Sequence, residues 1–278
     1  MSVTLTMRER PPARVDASPL TPEHCNALNR GRIAGLPLRC GRETVAVGDL
    51  FEVGGYVSDW SLTIAGDLRD VDGIGADMRR GELTVHGDCG DRAGAGMRGG
   101  ELTIDGGAGS WAGAGMAGGL LRISGEAGPR LGAAAVGARV GMRGGEIVVG
   151  GDVGEEAGAG MRRGLVLIGA RAGAGAGLRM LAGTVIALGG LGPEAGVANR
   201  RGTLASGRPL GARPLPGYAR ASRFRPPALR LQLLRARALG LAVGDALIDG
   251  SWTRWSGDFT ELGRGELLIF EDDRGANG

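Results

Sequence analysis

Methionine recurs at Met78, Met97, Met116, Met142, Met161 and Met180, 19 residues apart except for one interval of 26, which is one period plus a seven-residue insertion. Three residues after each stands a glycine, Gly81, Gly100, Gly119, Gly145, Gly164 and Gly183, and Asn199 with Gly202 completes a seventh copy. A short alternating segment follows each glycine, such as Glu82 to Val85, Glu101 to Ile104, Leu120 to Ile123 and Glu146 to Val149, and period-two alternation reads as a strand. Stacking the copies aligns two apolar ladders: Leu83, Leu102, Leu121, Ile147, Val166, Val185, Leu204 and Val85, Ile104, Ile123, Val149, Ile168, Ala187.

A fixed period of this size marks a repeat architecture. Each copy is too short for a β-α-β unit, which needs about 30 residues. With 57 glycines in 278 residues it is also too glycine-rich for a helical repeat. Aromatic residues, 4% of the chain, are too few to fill a sandwich or barrel, so small aliphatic side chains must form the interior. The fold these features predict is all-β: a right-handed parallel β-helix of about seven 19-residue coils, with glycines at the corners and the methionines as a soft interior stack. Open coil ends expose unpaired backbone and need caps. Residues 1–54 are expected to form a small α/β N-terminal cap, with a strand at Val3 to Thr6 and a helix at Pro22 to Asn29 capped by Thr21. Residues 55–206 form the coils. Residues 207–278 form a C-terminal arm: a linker, a helix from Ala228 to Leu239, and an aromatic β-prone end around Trp252, Trp255, Phe259 and Phe270.

Catalytic signatures are sparse. Gly94 to Gly99 and Gly113 to Gly118 match the dinucleotide pattern G-x-G-x-x-G, but these glycines belong to the repeat and no helix is predicted after them. A chain without lysine has no phosphate-binding Gly-Lys-Ser/Thr loop. Ser58, Ser110 and Ser124 have no histidine nearby in sequence, and the paired acids Glu155/Glu156 and Asp272/Asp273 fall in turn or tail contexts. Cys25, Cys40 and Cys89 are too scattered for a disulfide framework or a zinc knuckle. His86, Asp88 and Cys89 form the one local cluster of reactive side chains in the repeats. Net charge is only +3, which gives no case for nucleic acid. Met1 to Val15 lacks the apolar run of a signal peptide and no segment has membrane-spanning hydropathy, so a cytoplasmic protein is expected.

The column after each methionine reads Arg79, Arg98, Ala117, Arg143, Arg162, Leu181, Arg200, and three positions on it reads Glu82, Glu101, Leu120, Glu146, Leu165, Thr184, Thr203. Arginine and glutamate co-occur in copies one, two and four, as expected if they pair across the corner. In copies five and seven the arginine persists, doubled by Arg163 and Arg201, while the acid is gone. Arg162, Arg163, Arg200 and Arg201 therefore read either as solvated surface or as contacts to an acidic partner or ligand tail. Outward strand positions also turn apolar along the stack, from Thr84, Thr103 and Arg122 to Val148, Leu165, Leu167 and Ile186. Such a face is covered, either by the chain's own C-terminal helix or by another polypeptide. Leu165 and Leu167 accordingly join the four arginines as candidate partner contacts.

Gly109-Ser-Trp-Ala-Gly-Ala-Gly-Met-Ala-Gly-Gly, Gly141-Met-Arg-Gly-Gly-Glu-Ile-Val-Val, Gly158-Ala-Gly-Met-Arg-Arg-Gly and the lead-in Gly48 to Val53 resemble the C-type subunit of formylmethanofuran dehydrogenase, over roughly residues 45 to 205. A related β-helix closes the large subunit of glutamate synthase, but no amidotransferase or flavin region is attached here. The resemblance implies a non-catalytic scaffold in a multi-subunit enzyme of one-carbon metabolism. In methylotrophic bacteria, such a complex passes formyl from tetrahydromethanopterin to a methanofuran-type carrier and hydrolyses it to formate. Its other subunits are amidohydrolase-like, dehydrogenase-B-like and a formyltransferase. In methanogens a tungsten or molybdenum dehydrogenase makes the formyl carrier from CO2. The lysine-free, Arg/Ala-rich composition favours the bacterial version. By resemblance the metals and hydrolytic site belong to other subunits, and the carrier is held by the complex rather than by this chain alone.

Overall fold

A computed structural model of the chain describes residues 3–26, 28–55, 60–210 and 214–271. Ser58, Asp272 and Asp273 lie outside the described residues. The chain is mostly strand. Thirteen strands form one sheet, and the strands that follow the repeat glycines lie side by side in it in parallel. Their register is the one the repeat predicts: Leu83 stands opposite Leu102, Leu102 opposite Leu121, Leu121 opposite Ile147, and so on to Val185 opposite Leu204. Alternation puts these residues and the Val85 ladder on the buried side, where Leu83, Val85, Leu102, Ile104, Ile147 and Val149 are 0–1% exposed.

Both ladders run past the seven copies. Val3 and Leu5 of the strand Val3–Met7 pair with Leu62 and Ile64 of Ser61–Ala65, which in turn meet Leu83 and Val85. At the far end Leu204 and Ser206 pair with Leu267 and Ile269 of Gly265–Phe270. The terminal segments thus extend the stack by adding strands to it, and ten rungs span roughly 43 Å at about 4.8 Å per strand. A second line of parallel bridges runs from Leu68 through Cys89, Ala108, Ala127 and Val153 to Ala172 and Leu191. Cys89 is one interior rung of it and all three cysteines are buried free thiols, the usual place for a small apolar side chain of this kind.

Methionine and glycine columns are coupled. All six methionines are 0% exposed. A Cβ on Gly100, whose φ is +78°, would stand 2.7 Å from Met78 Cε and 2.6 Å from the Gly81 carbonyl oxygen. The same holds one coil on, where a Cβ on Gly119 would meet Met97 Cε at 2.8 Å. Each methionine therefore fills the space vacated by the glycine of the next coil, and at Gly100, Gly119, Gly145, Gly164 and Gly183 a positive φ independently disfavours any other residue. Strand Arg98–Ile104 follows Gly94 to Gly96 directly, so the G-x-G-x-x-G match has no helix behind it.

The N-terminal segment holds short helices, including Pro22–Cys25 with Thr21 as N-cap, shorter than the helix predicted to Asn29. A helix at Pro227–Ala238 agrees with the predicted one to within a residue at each end. It lies on the outer face of the late coils. Val148, Leu167, Ile186, Ala205 and Leu268 form a second apolar cluster with Leu229, Leu233, Ala236 and Trp252. Arg122, at the boundary where the outer face turns apolar, donates to the Leu239 carbonyl at the end of this helix. A cation there also complements the helix dipole.

Candidate functional site

The corners ahead of the fifth and sixth strands are each anchored by two backbone N–H groups converging on a single methionine carbonyl of the coil before, and the seventh by one, Arg200 N–H to the Met180 oxygen at 2.9 Å. Arg162 and Arg163 both donate to the Met142 oxygen, at 2.8 and 3.3 Å, and Leu181 and Ala182 both donate to the Met161 oxygen, at 2.8 and 3.2 Å. With the backbone fixed in this way, the side chains that follow each methionine project outward. In the fifth coil they are Arg162 and Arg163, in the seventh Arg200 and Arg201, and in the sixth Leu181 and Ala182. The missing arginine rung leaves an apolar stripe between two cationic doublets.

An open groove of about 650 Å³ runs over this stripe, lined by Arg162, Arg163, Leu181, Ala182, Arg200 and Arg201, with Leu262 as a wall. Leu262 is 57% exposed and belongs to the turn joining the last two strands. Asp258 anchors that turn, accepting from Ala198 N–H at 3.1 Å and from the Thr260 N–H and hydroxyl at 2.9 and 2.7 Å. Burial opposes its ionisation, but the hydrogen bonds from Thr260 and Ala198 prevail and hold the carboxyl below its ordinary range. Arg200 reaches Glu261 at 3.0 Å. Among the described residues Arg162, Arg163 and Arg201 have no ion-pair partner. The groove can hold an anion. Its lining carries no nucleophile, acid or base.

Leu165 and Leu167 do not join it. Leu167 is 1% exposed and lies in the cluster under the C-terminal helix, with Leu165 partly buried against the same cluster. The apolar outer face is thus covered by the chain itself, which takes both leucines out of the predicted contact surface. The predicted pairing of arginine and glutamate across each corner also needs correction. Glu146 pairs with Arg235 of the C-terminal helix at 2.6 Å and Glu101 with Arg122 at 3.5 Å, and no ion pair joins Arg79 to Glu82, Arg98 to Glu101 or Arg143 to Glu146 among the described residues.

The His86–Asp88–Cys89 cluster is dispersed. His86 Nδ1 lies 2.5 Å from Asp105 on the surface, Asp88 accepts from the Gly107 N–H at 2.8 Å, and Cys89 points into the interior. Burial, with a smaller contribution from neighbouring aspartates, pushes the Cys89 thiol up to about 12, so it is neutral and unreactive in the fold. Among the described residues no three His, Cys, Asp or Glu side chains gather as metal ligands. Leu262 and Glu261 carried no signal in the sequence, whereas Leu181 was visible as the break in the arginine column.

No family model matches the chain. The C-type subunit of the formyltransferase/hydrolase complex Fhc of Methylorubrum extorquens is 38% identical over 89 residues, 32% of this chain and 33% of that protein. The C-type subunit of the tungsten-containing formylmethanofuran dehydrogenase 2 of Methanothermobacter thermautotrophicus is 35% identical over 89 residues, again 33% of its length. These matches therefore span about a third of the curated relatives. Structural similarity reaches further. A chain in the crystal structure of the formyltransferase/hydrolase complex FhcABCD from Methylorubrum extorquens, in complex with methylofuran, superposes with a TM-score of 0.90 at 37% identity, covering 97% of this chain and 100% of that one.

Proposed function

The chain belongs to the family of C-type subunits found in formyltransferase/hydrolase complexes and formylmethanofuran dehydrogenases, and from that premise we propose that it is the non-catalytic structural subunit of a formyltransferase/hydrolase complex. In that assembly formyl moves from tetrahydromethanopterin to a methanofuran-type carrier and leaves as formate. The observation that carries this reading is the likeness along 97% of the chain to a chain of a complex that contains methylofuran. That coverage leaves only about 3% of the chain unmatched, so the likeness reaches well beyond the repeats. Partners are the amidohydrolase-like, dehydrogenase-B-like and formyltransferase subunits.

The coil stack is read as a right-handed parallel β-helix, the hand that parallel strand crossovers take in nearly all cases. Its domains are an N-terminal cap over 1–54, coils over 55–206 and an arm over 207–278. A body of ten in-register rungs is stiff along its axis, so it can hold catalytic subunits at fixed separation while a tethered carrier travels between them. Among the described residues no helix is long and apolar enough to cross a membrane. Three buried free thiols suit a reducing compartment, and we place the complex in the cytoplasm.

The test is formate release from formyl-tetrahydromethanopterin by the assembled complex and by the purified single chain. Turnover by the complex and none by the chain supports the role. Turnover by the chain alone at a comparable rate overturns it. The likeness to the C-type component of the tungsten enzyme supports a second reading, distinguished in the same assay by a complex that makes formyl carrier from CO2 only when a reductant is supplied.

A further inference from the structure

We propose that the arginine groove of the late coils seats an extended acidic peptide segment of a partner subunit. This deepens the reading of the chain as part of a complex and rests on it. Among the described residues three cations at one place have no counter-charge: Arg162, Arg163 and Arg201 lack an ion-pair partner, while Arg220, Arg235, Arg237 and Arg254 of the C-terminal arm each have a carboxylate within 4.0 Å.

Geometry narrows the ligand. The two doublets stand two coils apart, roughly 10 Å, too far for one small anion to satisfy both. An extended peptide rises roughly 3.3 Å per residue, so acids two to four positions apart reach both doublets. The stripe between them is Leu181 and Ala182, with Leu262 alongside, which suits an apolar side chain placed between the acids. Guanidinium groups take carboxylates in a bidentate fork, the strong form of this contact. The lining has no aromatic ring to serve as the stacking platform on which single-stranded nucleic acids are held, which argues against that ligand. The turn bearing Leu262 is held by Asp258 and by Arg200–Glu261, so the wall is in place before any ligand arrives.

The probe is a fluorescein-labelled eight-residue peptide of glutamates interrupted by leucines, titrated into the full chain and followed by anisotropy. Binding at low salt is expected, weakened tenfold or more by Arg163→Glu with Arg201→Glu. Arg79→Glu with Arg98→Glu makes the same charge change on the early coils and should alter binding no more than twofold. Equal weakening by both pairs would reduce the effect to net charge and overturn the site. A complex carrying Arg163→Glu with Arg201→Glu should lose a partner subunit on purification at moderate salt, with the melting temperature of the isolated variant unchanged. Retention of every subunit overturns the proposal, whether the carrier stays or is lost; loss of the carrier alone would assign the groove to the carrier's tail. Failure of the unaltered chain to enter any complex is a different result, and would count against the functional reading itself.

Discussion

Asn199 occupies the seventh place in the methionine column, 0% exposed, and its replacement should be among the more damaging single changes in that column. Its side-chain oxygen accepts from the Gly202 N–H at 2.7 Å and its amide donates to the Gly202 carbonyl at 2.9 Å. Gly202 O keeps a second partner in the Glu266 N–H at 3.0 Å, so Asn199→Ala or Asn199→Met orphans chiefly the Gly202 N–H. A buried donor without a partner costs about 1–3 kcal/mol. The closing strand adds to this, because a Cβ on Gly265 would stand 2.5 Å from the Asn199 amide nitrogen and a longer side chain is crowded there. Together these give about 2–4 kcal/mol, or roughly 3–7 °C in melting temperature for a chain of this size. Met180→Leu, one coil earlier, is a volume-conserving swap and should cost under about 1.5 kcal/mol. Thermal unfolding followed by circular dichroism measures all three. If Asn199→Met is as mild as Met180→Leu, then Asn199 is only another filler of the column and does not close the stack.

Ile147→Asp should abolish folding, since it puts an unpaired charge at a 0% exposed rung; neighbouring Glu146→Ala loses the contact to Arg235 and should cost about 0–1 kcal/mol, less in high salt. Comparable losses would refute the assigned faces. Burial raises the Cys25 thiol to about 11 and the Cys89 thiol to about 12. Both should resist iodoacetamide at pH 8.5 until urea unfolds the chain. Because these folded values lie above the ordinary 9.0, the stability they carry is complete below pH 9 and is lost as pH rises from there toward 12; a flat urea midpoint across that window would contradict their burial. Arg122→Ala removes the donor at the Leu239 carbonyl and should speed proteolysis within residues 227–249, read by mass spectrometry of the fragments. Unchanged cleavage there would mean that the helix is held by its apolar face alone.

The coil stack was legible because its period is written in side chains that must be buried or absent: a methionine, then a glycine where the preceding coil's methionine and backbone leave no room for a Cβ. Its two ends were not. Val3, Leu5, Leu267 and Ile269 complete the ladders, but no Met-x-x-Gly accompanies them, and strand pairing across such separations leaves no local mark. The helix at Pro227–Ala238 announced itself through its leucines and the glycine that follows. Leu165 and Leu167 were correctly read as needing cover, yet alternation fixes only which side a residue faces and not which segment covers it. The arginine–glutamate pairing failed for an energetic reason. Exposed pairs are worth so little that spacing does not dictate them, and the glutamates took partners supplied by Arg235 and by Arg122. The groove's arginines stood out as a column, whereas Leu262 entered it from a turn more than 60 residues further along the chain.

Capture of the tagged chain from its host under native conditions, with mass spectrometry of the intact assembly, tests the subunit role most directly. That role predicts a particle much heavier than the 28.2 kDa chain, which on dissociation yields this chain together with formyltransferase and amidohydrolase-like polypeptides and which releases formate from formyl-tetrahydromethanopterin. A particle containing only this chain, as a monomer or as copies of itself, would contradict it.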